Sequence, residues 1–256
     1  MLIKKTVHIT PYDLDRELHI YLPEDYQQSQ KRYPVLYMYD GHNLFRDEDA
    51  TYGKSWGLAD YLDRTHTGLI VVGLECNHEG NMRLVEFCPY SLPGPNRKRI
   101  PGTGQVLMQW MVDELKPMID AEFRTLPDRE HTGIGGSSMG GLMAYYSVIR
   151  HNDVFSKAAC LSSAFPFCHK EVREETMRKK QVLPGTRVFL SWGSKESGRK
   201  PGLVLYTCFN LEMSHLLTEA GAVTYPMLVN GGSHSEADWE KLNEVYIPFL
   251  FGKENS

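Results

Sequence analysis

Apolar and polar positions alternate from the start of the chain. Residues 2–9 (LIKKTVHI) and 16–22 (RELHIYL) put every second side chain on one face, which predicts a half-buried antiparallel pair. The pattern then changes. YPVLYMYD (33–40) is apolar until Asp40, and GLIVVGLE (68–75) and TRVFLSWG (186–193) are similar runs. Unbroken apolar runs of this length predict strands buried on both faces. KAACLSS (157–163) and AVTYPMLVNG (222–231) add two more strands, and HTGIGGSSMGGLMAYYSVIR (131–150) reads as strand, tight turn and helix. Helical spacing covers 55–64, 104–123, 170–181, 203–220 and 236–250, with Pro117 expected to kink or break the second of these. Residues 77–103 carry so much Pro and Gly that no regular element is expected there, and a loop of that length is usually functional.

Strands alternating with helices predict an α/β fold. The expected form is a mostly parallel sheet of about eight strands, with helices on both faces and no large cap domain. No repeat or linker divides the chain, so 1–256 is read as one domain. Composition adds limits. The 256 residues are 41% hydrophobic, enough for a sizeable core. The formal net charge is -4, too weak a field for nucleic acid or an anionic membrane as main partner. No run reaches the roughly 18 apolar residues of a membrane span, and the N-terminus lacks a signal-peptide core, so a cytoplasmic location is expected. The five cysteines show no C-x-x-C pair and read as buried reduced thiols. Ten histidines show no H-E-x-x-H spacing, so neither metal nor cofactor is expected. Nothing fixes the oligomeric state; a homodimer is compatible with the sequence.

Gly136-Ser137-Ser138-Met139-Gly140 fits G-x-S-x-G in one frame only, centred on Ser138. A nucleophile at such a strand-to-helix turn stands clear of the backbone, and small residues two positions away let strand and helix approach. The bare pentapeptide arises by chance in roughly one chain in ten of this length. The apolar run before it, the helical run after it, and Gly135 and Gly141 set this one apart. A serine hydroxyl needs a general base, and the base needs an orienting carboxylate. His234, in the Gly-rich loop NGGSHSEADW after the last strand, is the candidate base. Glu196, in the turn GSKE after a buried strand, is the candidate acid. Among the other groups, His169 is expected to face solvent, His151 to end a helix, Asp238 to lie too close to His234, and Asp40 to bond turn amides. The oxyanion would be held by the backbone N–H groups of Met139 and of His42, with Asn43 as the alternative to His42.

The motifs resemble the putative-esterase family of α/β-hydrolases, which includes esterase D and the enterochelin, feruloyl and acetyl-xylan esterases. YPVLYMYDGHNLF, SWGLADYL, IVVGLE with MRLVEFCP, ELKPMID, GIGGSSMGG, FLSWGSKE and GGSHSEADW carry the likeness across about 15–250. The resemblance implies an α/β-hydrolase fold, a cofactor-free acyl-serine mechanism, and Ser138, His234 and Glu196 as its triad. It also implies that Arg83 and Glu86 form a structural or site-edge pair. The substrate is expected to be a small-molecule or carbohydrate-linked ester of acetyl or feruloyl type. The alternatives are a catecholate siderophore, acyl transfer to a sugar and, last, a non-catalytic binding module. Asn43, Trp56, Arg83 and Trp192 are the candidate substrate-binding residues, and Trp56, Trp192 and Trp239 near the motif ends are candidates to stack on a sugar or aromatic acid. Arg97, Lys98 and Arg99 form a basic cluster that would suit an anionic substrate or simply face solvent.

Overall fold

The computed structural model describes residues 1–94, 96 and 98–252. Eight strands form one sheet in the order β1-β2-β4-β3-β7-β8-β9-β10. β1 (Leu2–Ile9) and β2 (Leu14–Tyr21) pair antiparallel, as their alternation predicts, and β2 runs antiparallel to β4 (Ile70–Leu74). The remaining strands are parallel: β3 (Val35–Tyr39), β7 (Thr132–Ser137), β8 (Lys157–Leu161), β9 (Arg187–Gly193) and β10 (Val223–Val229). Every residue of β3, β4 and β7 is buried, which explains their unbroken apolar runs.

Two apolar layers cover the sheet. Tyr37, Tyr39, Ile70, Val72 and Leu74 point to one side. There they meet α3 (Gly104–Trp110) and α5 (Met139–Arg150). Leu36, Met38 and Val71 point to the other, against α1 (Leu58–Arg64) and α9 (Asn243–Phe251). Eleven of the twelve residues of α5 are buried, so this helix is a core element rather than an amphipathic surface helix.

Three elements depart from the sequence reading. The stretch 77–103 contains a short helix, α2 (Met82–Glu86), and a hairpin of β5 (Ser91–Pro93) with β6 (Arg99–Pro101). α2 is built of good helix formers, hidden in the sequence by the Pro and Gly around it, and long-range ion pairs hold it although it is only five residues long. The helix expected at 104–123 is continuous through Pro117 but widens to a π turn at Met111–Leu115, before α4 (Lys116–Glu122). Pro117 has no N–H for the carbonyl one turn back and its ring crowds it, so the preceding turn opens. The final helix is two: α8 (Glu236–Glu240) and α9. Asn243 starts the second, buried, with its amide on the Trp56 carbonyl at 2.7 Å and its Oδ1 receiving the Tyr246 hydroxyl at 2.9 Å. No helix among the described residues is long and apolar enough to cross a membrane.

Candidate active site

Ser138 sits at the junction of β7 and α5 with φ 56° and ψ −117°, a conformation that side-chain-bearing residues rarely adopt. The glycines around it are sterically required. A Cβ on Gly136 would lie 2.8 Å from the Gly140 carbonyl carbon, and one on Gly140 would lie 2.9 Å from Tyr39 Cβ. The Ser138 N–H bonds the Leu161 carbonyl at 2.9 Å, and its own carbonyl accepts from Ala164 at 2.9 Å. The strained turn is therefore tied on both sides to the chain after β8. Met139 begins α5, where the first N–H groups of a helix have no intrahelical acceptor.

His234 lies on the loop after β10, and its side chain is 41% exposed. Its Nδ1 is 3.2 Å from Glu196 Oε2. Glu196, from the turn after β9, has a side chain only 2% exposed. Its Oε1 accepts from the Ser162 hydroxyl at 2.6 Å and from the Gly193 N–H. Trp239 Nε1 in turn donates to Ser162 Oγ at 2.9 Å, and the Trp239 ring stands edge-on to His234 with centroids 5.0 Å apart. This chain of bonds fixes the Glu196 rotamer and the carboxylate oxygen left for the imidazole. Ser162 has no sequence motif; its place after β8 was the available signal.

Ser138 and His234 line one cavity of about 500 Å3 together with Asp40, His42, Asn43, Thr51, Tyr52, Arg83 and Glu236. His42 and Asn43 belong to a short 3-10 turn, Gly41–Asn43, after β3. Gly41 packs directly on β4: a Cβ there would lie 2.3 Å from the Gly73 carbonyl oxygen. Asn43 Oδ1 accepts from the Thr51 N–H at 2.9 Å, which shapes the loop between β3 and α1.

Asp40 does not serve turn amides, as its position had suggested. It takes Arg83 in a bidentate pair, both contacts 2.7 Å. Burial opposes ionisation of Asp40, but the Arg83 charge and hydrogen bonds outweigh it and hold the carboxyl below its ordinary value. Arg83 and Glu86 accordingly do not pair with each other. Glu86 binds Arg16 at 2.9 Å, with both side chains buried, and accepts the Asn77 N–H at 2.7 Å. The two ion pairs pin opposite ends of α2, one to the cavity and one to β2.

Trp56 and Trp192 do not reach the cavity. Trp56 is buried against Trp239, centroids 5.5 Å apart, and Trp192 is buried with Nε1 on Thr207 at 2.9 Å. Trp56 extends the apolar core under the site. The third tryptophan, Trp239, does line the cavity, though buried, and Tyr52 stands at its edge, 81% exposed. Glu236, also missed in the sequence, lines the cavity while buried; burial and the nearby Asp40 charge raise its carboxyl above the ordinary value. His169 is not simply solvent-facing: it stacks on Phe209 and bonds Glu212 at 2.8 Å. All five cysteines are free and four are buried, but Cys208 is exposed. Arg97 lies outside the described residues, and Arg99 is paired with Glu171 at 2.9 Å.

The parallel sheet, the strained serine turn and the histidine on the loop after the last strand define an α/β-hydrolase-like protein. The family model described as "Putative esterase" matches residues 12–243, and the chain belongs to that family; it is an ester hydrolase. The chain is 22% identical over 249 residues to the uncharacterized protein YbbA of Bacillus subtilis (strain 168), covering 94% of this chain and 95% of that one. It is 26% identical over 240 residues to an endo-1,4-beta-xylanase/feruloyl esterase of Xylanibacter ruminicola, covering 91% of this chain and 29% of that longer protein. The structure of siderophore hydrolase EstB from Aspergillus nidulans superposes with a TM-score of 0.77 at 16% identity, covering 100% of this chain and 96% of that one.

Proposed function

We propose that this protein hydrolyses carboxylic esters through an acyl-enzyme on Ser138, with residues 1–256 acting as one catalytic domain. The observation that carries the reading is the Ser138 turn: a strained serine at a helix N-terminus on the cavity wall, with His234 lining the same cavity and Glu196 buried behind it at 3.2 Å from its Nδ1. Ser138 Oγ attacks the ester carbonyl carbon while His234 Nε2 takes its proton. Glu196 holds Nδ1–H and stabilises the imidazolium. The backbone N–H groups of Met139 and His42 receive the oxyanion. His234 then returns the proton to the leaving alcohol, and water repeats the sequence to release the acid.

The lining favours a hydroxylated alcohol, such as a sugar carrying an acetyl or feruloyl group. Asn43, Thr51, Asn77 and Glu236 offer hydrogen-bonding groups, and the exposed Tyr52 ring offers a face for stacking. The similarity to a feruloyl esterase is consistent with this choice. A polyanionic catecholate finds less support, because Arg83 already faces Asp40 and Arg99 faces Glu171.

Labelling with a fluorophosphonate probe and turnover of acetyl and feruloyl esters test the reading together. Wild type is expected to label stoichiometrically and to turn over sugar-linked esters; Ser138→Ala is expected to do neither while keeping its unfolding midpoint. Labelling that persists in Ser138→Ala would exclude this serine.

A further inference from the structure

His42, Cys76 and His78 bring one potential ligand atom each to a single point at the cavity rim, all within 4.8 Å of one another. They come from different segments. His42 follows β3, whereas Cys76 and His78 follow β4. The parallel register of β3 and β4 sets Tyr39 beside Leu74, so the two loops leave the sheet edge side by side.

Each ring already has one nitrogen held. His42 Nε2 meets Thr51 Oγ1 at 3.0 Å, which leaves Nδ1, and Nδ1 is buried with no hydrogen-bond partner. The His42 residue is 6% exposed, so this is a desolvated polar atom of a kind folded proteins rarely leave unmatched. His78 Nε2 faces Glu75 Oε2 at 3.5 Å, and its Nδ1 lies 3.9 Å from Cys76 Sγ. A carboxylate behind one imidazole and a hydroxyl behind the other is the outer-shell arrangement that orients histidine ligands toward a metal.

The geometry points to a binding site for a thiophilic divalent cation, Zn2+, held by His42 Nδ1, Cys76 Sγ and His78 Nδ1, with its fourth position open to the cavity. Zinc bonds of about 2.3 Å to sulfur and about 2.0 Å to nitrogen put tetrahedral ligands about 3.3–3.6 Å apart. Any pair must therefore close by about 1.5 Å at most, and His78, 56% exposed at the rim, has room to move toward the other two. On binding, the Cys76 S–H bond breaks, the proton leaves to solvent and the sulfur lone pair goes to zinc. Asp40, Glu75 and Glu86 supply negative charge around the cluster. Asp40 is paired with the Arg83 guanidinium and Glu86 with that of Arg16.

Occupancy has a consequence for catalysis, and this part rests on the esterase reading. His42 would carry the metal on its side chain while its backbone N–H serves the oxyanion, so zinc would load the same loop and crowd the cavity. Turnover should fall when zinc binds.

Titration of the metal-stripped full chain with ZnCl2 tests the site. One Zn2+ per chain is expected, and Co2+ in its place should give thiolate-to-cobalt absorption. Cys76→Ser and His78→Ala are each expected to weaken Zn2+ binding by about 100-fold, and Cys76→Ser to abolish the absorption. His78 is the second variant should Cys76→Ser fold poorly. Zn2+ should lower wild-type hydrolysis of p-nitrophenyl acetate, reversibly with EDTA, and leave each variant at its own metal-free rate. Unchanged affinity in both variants, or loss of binding in His234→Ala instead, would overturn the site. Tight binding without loss of turnover would overturn the link to catalysis. A chain that binds zinc through Cys76 but hydrolyses no ester would refute the esterase reading and leave the metal site standing.

Discussion

The Ser138 turn and helix α2 lie on the same cavity but are specified in different ways. The turn is local. Six consecutive residues, Gly136 to Gly141, contain its glycines and its serine, and a Cβ on these glycines would strike the turn itself, β3 or the chain after β8. Helix α2 is five residues long and has no side-chain cap. It stays in place because Arg83 reaches Asp40, 43 positions away, and Glu86 reaches Arg16, 70 positions away. One part of the site is written in a short motif; the other exists only once β2, β3 and the loop have met. The first should tolerate no local change, and the second should respond to charge.

Breaking the proposed triad is expected to give the largest effect. Glu196→Gln keeps the size of the side chain but favours the wrong imidazole tautomer, and kcat should fall by roughly 10⁴-fold with the fold intact. A burst assay with p-nitrophenyl acetate measures it. Asp40→Asn comes next: it leaves the Arg83 charge unmatched at the cavity wall and should cost about 3 kcal/mol, read by urea unfolding. Gly140→Ala drives a methyl against Tyr39 and should cost about 1–3 kcal/mol in the same experiment. If it proves neutral, the turn is less tightly built than its contacts indicate.

Acid sharpens the contrast. Because Asp40 ionises more readily in the folded state, its contribution is complete above the ordinary aspartate range, near pH ~4, and is lost as pH falls through its depressed value. Wild type should therefore lose more stability than Asp40→Asn between pH about 5 and about 3. Equal losses would mean that the pair contributes nothing through its charge. The smallest effect is expected at Tyr52→Ala, which should raise KM for a feruloyl sugar ester several-fold, about 1 kcal/mol of stacking, and leave kcat unchanged.

These differences explain what could be read from the sequence. The buried strands announced themselves as apolar runs, and Ser138, Glu196 and His234 follow the ends of β7, β9 and β10 in chain order. Trp56 and Trp192 misled because an aromatic near a motif looks the same whether it faces ligand or core; only burial separates them. Asp40 was mistaken for a turn residue because its partner lies in another segment. Ser162, Glu236 and the His42–Cys76–His78 cluster were invisible for the same reason. A C-x-H spacing means little until a second loop delivers the missing histidine. The hairpin and helix inside 77–103 were hidden by prolines that end strands as readily as they prevent them.

The contact between Gly41 and Gly73 bears on how this site can be altered in the laboratory. A Cβ on either would run into the other's backbone, within 2.3 Å from one side and 2.7 Å from the other. Neither position can be changed first without displacing the other, so stepwise mutagenesis has no passable route through them. Libraries that vary 41 or 73 should return glycine. Positions 43, 51 and 52, on the same loop but away from that crossing, are where selection for a new ester can move.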